Sequence, residues 1–212
     1  MLRLIDLEIF EEVNLTPDIK IRTFRGAGIK TYIPSIVKVR TEVLKEYPYM
    51  REGHVDEDTK YFKYLSQSKD SIAVIVFDGP KIIGVTTGMP LEEQVPFLQK
   101  PFLEKKLKLS EIYHFGICAL LKPYRGRGIA HHFFDLREEH VKQLKRFKKI
   151  CLSSVVRPKN HPQKPKDYNS LDTFWKKRGY VERKDLVGEF SWCEQDEKAP
   201  TPKSLIFWVK EI

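Results

Sequence analysis

Arg125-Gly126-Arg127-Gly128-Ile129-Ala130 stands between the apolar run 117–121 and a helix-like run that begins near His131. A strand that ends in a glycine turn and feeds straight into a helix points several backbone N–H groups at one spot. The first N–H groups of a helix lack intrahelical partners and carry partial positive charge, so a phosphate or pyrophosphate binds there. Gly126 and Gly128 have no Cβ, which lets the backbone close around an anion in torsions that other residues avoid. The dinucleotide fingerprint G-x-G-x-x-G is excluded, because its third glycine would fall at His131. A P-loop is excluded too, since no Gly-Lys-Ser/Thr follows.

The flanks fit this reading. Residues 111–121 (EIYHFGICALL) are apolar, aromatic and β-branched enough for a buried strand. From 127 to 149, Ile129, Phe133, Leu136, Val141, Leu144 and Phe147 fall roughly on one helical stripe. Elsewhere, 19–24 reads as a first strand. Pro34 suits the first turn of a helix running to about Tyr47, with Ile36, Val39, Val43 and Leu44 inward. A short helix is expected at 56–65, then a hairpin of 72–77 and 81–87 around Asp78-Gly79-Pro80. The charged, proline-punctuated stretch 89–110 has a short helical pattern at 97–107 and reads as an insertion able to cover a substrate. A strand at 150–156, a helix at 169–178 ended by Gly179, and a closing pair at 186–192 and 205–209 complete the chain.

Composition bounds the class. The 212 residues, 41% hydrophobic and 12% aromatic, suit one soluble domain, 1–212, of mixed α/β (α+β) type. No apolar run is long enough to span a bilayer, and MLRLIDLEIFEE is too acidic and broken for a secretion signal. Cys118, Cys151 and Cys193 are isolated and odd in number, which suits reduced thiols in a cytoplasmic protein. Two of them fall in expected buried strands, where cysteine acts as a small hydrophobe. The net charge of +9 is concentrated in 142–149 and in the proline-rich 157–166 (RPKNHPQKPK). A solvated helix face and steering of an anionic cofactor account for both. Interleaved aromatics that would stack bases are missing, so a nucleic-acid partner is not expected.

The glycine loop in this setting resembles the R/Q-x-x-G-x-G/A pyrophosphate loop of the GCN5-related N-acetyltransferase (GNAT) superfamily. The order β-α-α-β-β-β-α-β-α-β-β is similar to the superfamily's over about 19–210. A further likeness is Phe174-Trp175-Lys176-Lys177-Arg178-Gly179-Tyr180, against a family Leu-Tyr-x-x-x-Gly-Phe pattern. The resemblance implies a GNAT-like acyl-CoA acyltransferase fold, a mixed central sheet flanked by helices. It implies an acetyl-CoA-dependent N-acetyltransferase acting on a primary amine by direct attack in a ternary complex. Arg125, Gly126, Arg127, Gly128, Ile129 and Ala130 would hold the pyrophosphate. Cys118–Leu120 would pair with pantetheine, as the central strand does in relatives, so Cys118 and Leu120 join the cofactor residues. It leaves room for a homodimer.

Trp175 stands where many relatives have a tyrosine that protonates the departing thiolate, and an indole only donates a hydrogen bond. That departure motivates an alternative, a non-catalytic coenzyme A-binding module. An RNA-associated protein using 157–166 is the third reading. For acetyl transfer, alternation puts His114, Gly116, Cys118 and Leu120 on one strand face. His114 falls where the histone-acetyltransferase branch places a glutamate base, and an imidazole titrates near neutrality. A core histidine with a satisfied hydrogen bond reads the register equally well. Glu111 and Tyr113 are further candidates on the strand. Tyr168 is the first choice of general acid, with Tyr180 read as a core aromatic. An acetyl-Cys118 intermediate lacks an activating base at adjacent spacing. His131 and His132 have no third ligand at metal-binding spacing, so no metal is expected.

Overall fold

In the computed structural model of the chain, residues 9–212 are described. The first eight residues of the stretch read above as lacking a secretion signal lie outside them. In chain order the elements are β1 (Glu11–Asn14), β2 (Ile19–Arg25), α1 (Ile33–Leu44), α2 (Val55–Leu65), β3 (Ile72–Asp78), β4 (Lys81–Pro90) and α3 (Pro96–Glu104). There follow β5 (Ile112–Leu120), α4 (Ile129–Leu144), β6 (Lys149–Val155), α5 (Asp172–Lys177), β7 (Val181–Trp192) and β8 (Thr201–Glu211). The strands hydrogen-bond in the order β1-β2-β3-β4-β5-β6-β8-β7, a mixed sheet whose β5–β6 pair is parallel. The mixed α/β class expected from the sequence is the one observed.

The single domain expected from length divides into two compact units, each made of three chain segments. The first takes residues up to Val43, with His54–Met89 and Ile117–His140. Its sheet grows from antiparallel neighbours: Ile21 pairs with Val76 on β3, and Val74 with Thr86 on β4. The β-branched run Ile72–Val76 is completely buried, as a strand covered on both faces must be. Gly84 sets the close packing on β4. A Cβ there would lie 2.7 Å from Leu120 Cδ1 and 3.3 Å from both Ala119 O and Phe133 Cζ. Only glycine lets the end of β5 and the second turn of α4 come this near to β4. An Arg40–Asp58 ion pair joins α1 to α2.

The second unit takes Leu44–Gly53, Pro90–Gly116 and Val141–Ile212. Its core holds Leu91, Leu98, Phe102, Ile112, Cys151 and Phe207. Phe102 meets Phe207 edge-on at 4.9 Å, and Phe97 stacks on Phe190 at 4.2 Å. Helix α5 ends in two bonds that close around Gly179, from Tyr180 N to Trp175 O and from Gly179 N to Lys176 O, both 3.0 Å.

Several boundaries move. Strand β1 was not expected; its residues EEVN have no alternating apolar face, and three of the four are exposed. Helix α4 stops at Leu144, not 149, because Lys145 takes φ +55. Phe147 is buried off the helix, packed edge-on against Tyr113 at 5.1 Å. In the stretch 89–110 the helical pattern expected at 97–107 is present as α3, which carries Leu98 and Phe102 into the core, with Leu91 in the turn before it.

Candidate active site

Within the first unit, β5 leaves the sheet through the 3-10 turn Lys122–Tyr124 and enters the glycine loop. Gly126 and Gly128 both take positive φ, +77 and +79, and a Cβ on either would meet nothing within 4 Å. Sterics around the loop are therefore open; the torsions themselves require glycine. The N–H of His131 is taken by Gly128 O at 2.9 Å. Among the described residues, no backbone or side-chain acceptor takes the N–H groups of Gly126, Arg127, Gly128, Ile129 or Ala130. Five successive donors therefore lead into the start of a 16-residue helix, the arrangement in which backbone N–H groups can take an anion.

The loop's arginines fold back. Arg125 Nε donates to Leu120 O at 2.9 Å, and an Arg127 Nη donates to Pro123 O at 3.0 Å. Loop residues Arg125, Gly126, Arg127 and Gly128 are exposed, while Ile129 is buried and anchors the helix start.

Cys118 was expected to act as a buried small hydrophobe; its side chain is exposed instead. Desolvation by surrounding protein still pushes its thiol pKa up, against the opposing pull of Arg137 and a Thr86 hydrogen bond. Its raised pKa makes it a poor nucleophile. Nearby, Thr86 Oγ1 donates to Ile117 O at 2.7 Å, and buried Arg137 donates to Thr87 O at 3.2 Å.

In the second unit, β5 pairs with β6 only from Ile112↔Lys149 to Phe115↔Leu152. Beyond Phe115 the strand continues without β6 as its ladder partner. His114, opposite Cys151 in that ladder, is 3% exposed and its Nδ1 lies 3.1 Å from Gln94 Nε2. With the amide nitrogen donating, the neutral ring carries its hydrogen on Nε2. Gln94 was missed in the sequence, since it sat in a stretch read as an insertion. Tyr113 is a fully buried core aromatic, and Glu111 is held by Lys148 at 2.8 Å. That hydrogen bond keeps the Glu111 carboxyl below its ordinary pKa, which suits a structural ion pair more than a base.

Tyr168 lies half-buried in the loop between β6 and α5, edge-on to Tyr47 with ring centroids 4.7 Å apart. Desolvation, then the neighbouring Tyr47 and Asp172, push its phenol pKa up, so it stays protonated at neutral pH. Trp175 is 8% exposed and packs on Trp208 at 5.3 Å, a core indole. Tyr180 is buried as expected.

The basic clusters are partly consumed by acids. Arg157, read as part of the basic, proline-rich stretch 157–166, is tied inward: Nε donates to Pro48 O at 2.7 Å and Nη2 to Glu194 Oε1 at 2.6 Å. Arg146 pairs with Glu92 at 2.8 Å, and Lys149 with Glu211. Among the described residues, no group of three or more His, Cys, Asp or Glu side chains could hold a metal ion, and no helix is long and apolar enough to cross a membrane.

No protein-family model and no curated protein sequence matches the chain. Solved structures do. The ribosomal-protein-alanine N-acetyltransferase of Brucella melitensis superposes with a TM-score of 0.57 at 9% identity, covering 90% of this chain and 99% of its own. A GNAT-family acetyltransferase from Streptococcus pneumoniae gives 0.55 at 12% identity, over 91% and 99%. NAA60 of Arabidopsis thaliana, solved with a bisubstrate analogue, gives 0.55 at 10% identity, over 91% and 99%.

Proposed function

We propose that this chain, which has the fold of the GNAT acetyltransferases, is an acetyl-coenzyme A-dependent N-acetyltransferase acting on a primary amine. The observation that carries the reading is the row of N–H donors at Gly126–Ala130, set between the central strand and α4 in an acetyltransferase fold. Coenzyme A presents a pyrophosphate, which matches that site in charge and geometry.

When bound, acetyl-coenzyme A supplies an activated acyl group as a thioester. The backbone of β5 at Cys118–Leu120 extends past the β6 ladder and offers hydrogen bonds to the pantetheine arm. A neutral amine nitrogen attacks the thioester carbonyl carbon, and His114 takes its proton through a water. For this the Gln94 amide turns, so that its carbonyl accepts from Nδ1–H and Nε2 becomes the acceptor. The C–S bond then breaks, and Tyr168, kept protonated by its surroundings, gives the thiolate a proton.

A non-catalytic coenzyme A-binding module is the second reading, supported by burial of Trp175 where relatives carry an acid. Ion pairing of Arg146, Lys148, Lys149 and Arg157 counts against the RNA-associated one. Thiol release from acetyl-coenzyme A with a panel of amino acids, polyamines and peptide N-termini tests the proposal. Acceptor-dependent release supports it. Tight coenzyme A binding without release for any amine would leave the module.

A further inference from the structure

We propose that Tyr124 is a positioning residue, a strut that ties the glycine loop to the β3–β4 turn through Asp78 and preorganises it for a nucleotide pyrophosphate. The inference rests on the reading of that loop as the coenzyme A site.

Three observations in the first unit carry it. Tyr124 donates its phenolic hydrogen to Asp78 Oδ2 at 2.6 Å, a short charge-assisted bond. Asp78 raises the phenol pKa, mainly through that hydrogen bond, so tyrosine remains the donor. Both ends are anchored. Gly79 N–H, beside Asp78, donates to Asp18 O at 3.0 Å. On the loop side, Tyr124 N–H donates to Leu121 O at 3.0 Å, and Leu121 N–H to Ile83 O on β4, also at 3.0 Å.

The loop needs an external brace. Its two positive-φ glycines have nothing within 4 Å of where a Cβ would be, so no packing against them fixes the backbone. Tyr124 also sets an arginine: the Arg127 guanidinium carbon lies 5.4 Å from the centroid of its ring. With the Arg127–Pro123 bond, this fixes the guanidinium against the turn that precedes the loop. A loop already in its binding conformation avoids an ordering cost at the moment of binding.

The test is calorimetric titration of the full chain with coenzyme A. Tyr124→Phe keeps the ring under Arg127 and removes only the hydroxyl. It is expected to weaken coenzyme A roughly fivefold, as the loss of one hydrogen bond of ordinary net strength would. Asp78→Ala should match it, and the double variant should be no weaker than either single one. Asp78→Asn should stay within twofold of wild type, because its amide oxygen still accepts the hydroxyl. As a control for general damage, transfer from S-acetyl-N-acetylcysteamine, a thioester without pyrophosphate, should change less than twofold in Tyr124→Phe. Unchanged coenzyme A affinity in Tyr124→Phe, or equal losses with both thioesters, would overturn the strut. A wild-type chain that binds no coenzyme A refutes the parent reading instead, and shows itself before any variant is made.

Discussion

The Arg157 guanidinium and the Glu194 carboxylate form a buried ion pair, Nη2 to Oε1 at 2.6 Å, with side chains only 11% and 8% exposed. The same guanidinium donates to Pro48 O and Tyr49 O, so one side chain fixes three separated segments of the second unit. Lys203 also approaches Glu194 at 3.4 Å. Arg157→Ala therefore leaves a buried carboxylate with one partner and takes the guanidinium donor from Pro48 O, while Tyr49 O keeps the Trp192 indole N–H at 3.0 Å. The expected loss is about 3 kcal/mol in urea unfolding. A loss below about 0.5 kcal/mol would make Arg157 one more solvated cation.

Lys159, Lys164 and Lys166 are exposed and belong to a different prediction. Replacing all three with alanine should leave stability unchanged within about 0.5 kcal/mol. If this loop frames the acceptor entrance, the acceptor KM should rise, most for an acidic acceptor, with little change for acetyl-coenzyme A. Weakened cofactor binding with an unchanged acceptor would assign the lysines to the ribose phosphate.

At the glycine loop the expected variant is Gly128→Asp. It puts a side chain on a residue at φ +79 and a carboxylate beside the N–H row. The torsion alone costs about 1–2 kcal/mol, and the new anion competes with phosphate for the same donors. Coenzyme A binding should be lost in calorimetry. Affinity within twofold of wild type would remove the loop from the cofactor site.

These loop features were legible because their causes are local. Two glycines between an apolar run and an amphipathic run dictate a turn and a helix start, and Gly179 dictates a helix end. The hairpin at Gly79-Pro80 was legible for the same reason. What was hidden depends on distant partners. Arg157 reads as one more cation until Glu194 and the 48–49 carbonyls meet it. Gln94 reads as polar filler in a charged stretch until His114 lies beside it. Cys118 fits an apolar run, yet the strand's pairing to β6 ends at Phe115, and the thiol is left exposed. Strand β1 is held by its backbone ladder and by Glu12 reaching Lys20 and Arg22 on β2, contacts with distant partners that leave no apolar period in its own residues.

The His114–Gln94 contact gives a prediction about the base. His114→Gln should lower turnover roughly 10²-fold with cofactor affinity nearly intact. Gln94→Glu offers only acceptors, fixes the hydrogen on Nδ1 and favours the charged ring. The acidic limb of the kcat–pH profile should then move to higher pH. Full activity of His114→Gln with an unmoved profile would make His114 structural.

His140 sets a pH limit on stability in the first unit. It is 2% exposed, and its Nε2–H donates to Asp70 O at 2.9 Å. Burial is the main cause that lowers its pKa from 6.5 to about 4, with the Asp70 hydrogen bond opposing and nearby Arg25 adding to the shift. Above pH 6.5 the ring is neutral in both folded and unfolded chains, and its full contribution to stability is present. As pH falls below that value, only the unfolded chain takes up the proton, so stability declines until the folded pKa near 4 is reached. The loss across this window is on the order of 3 kcal/mol for one such group. His140→Gln keeps an N–H for Asp70 O and removes the titration. Urea unfolding at a series of pH values should show a shallower decline between pH 6.5 and 4 in this variant than in wild type, and parallel curves would show that His140 does not set the acid limit.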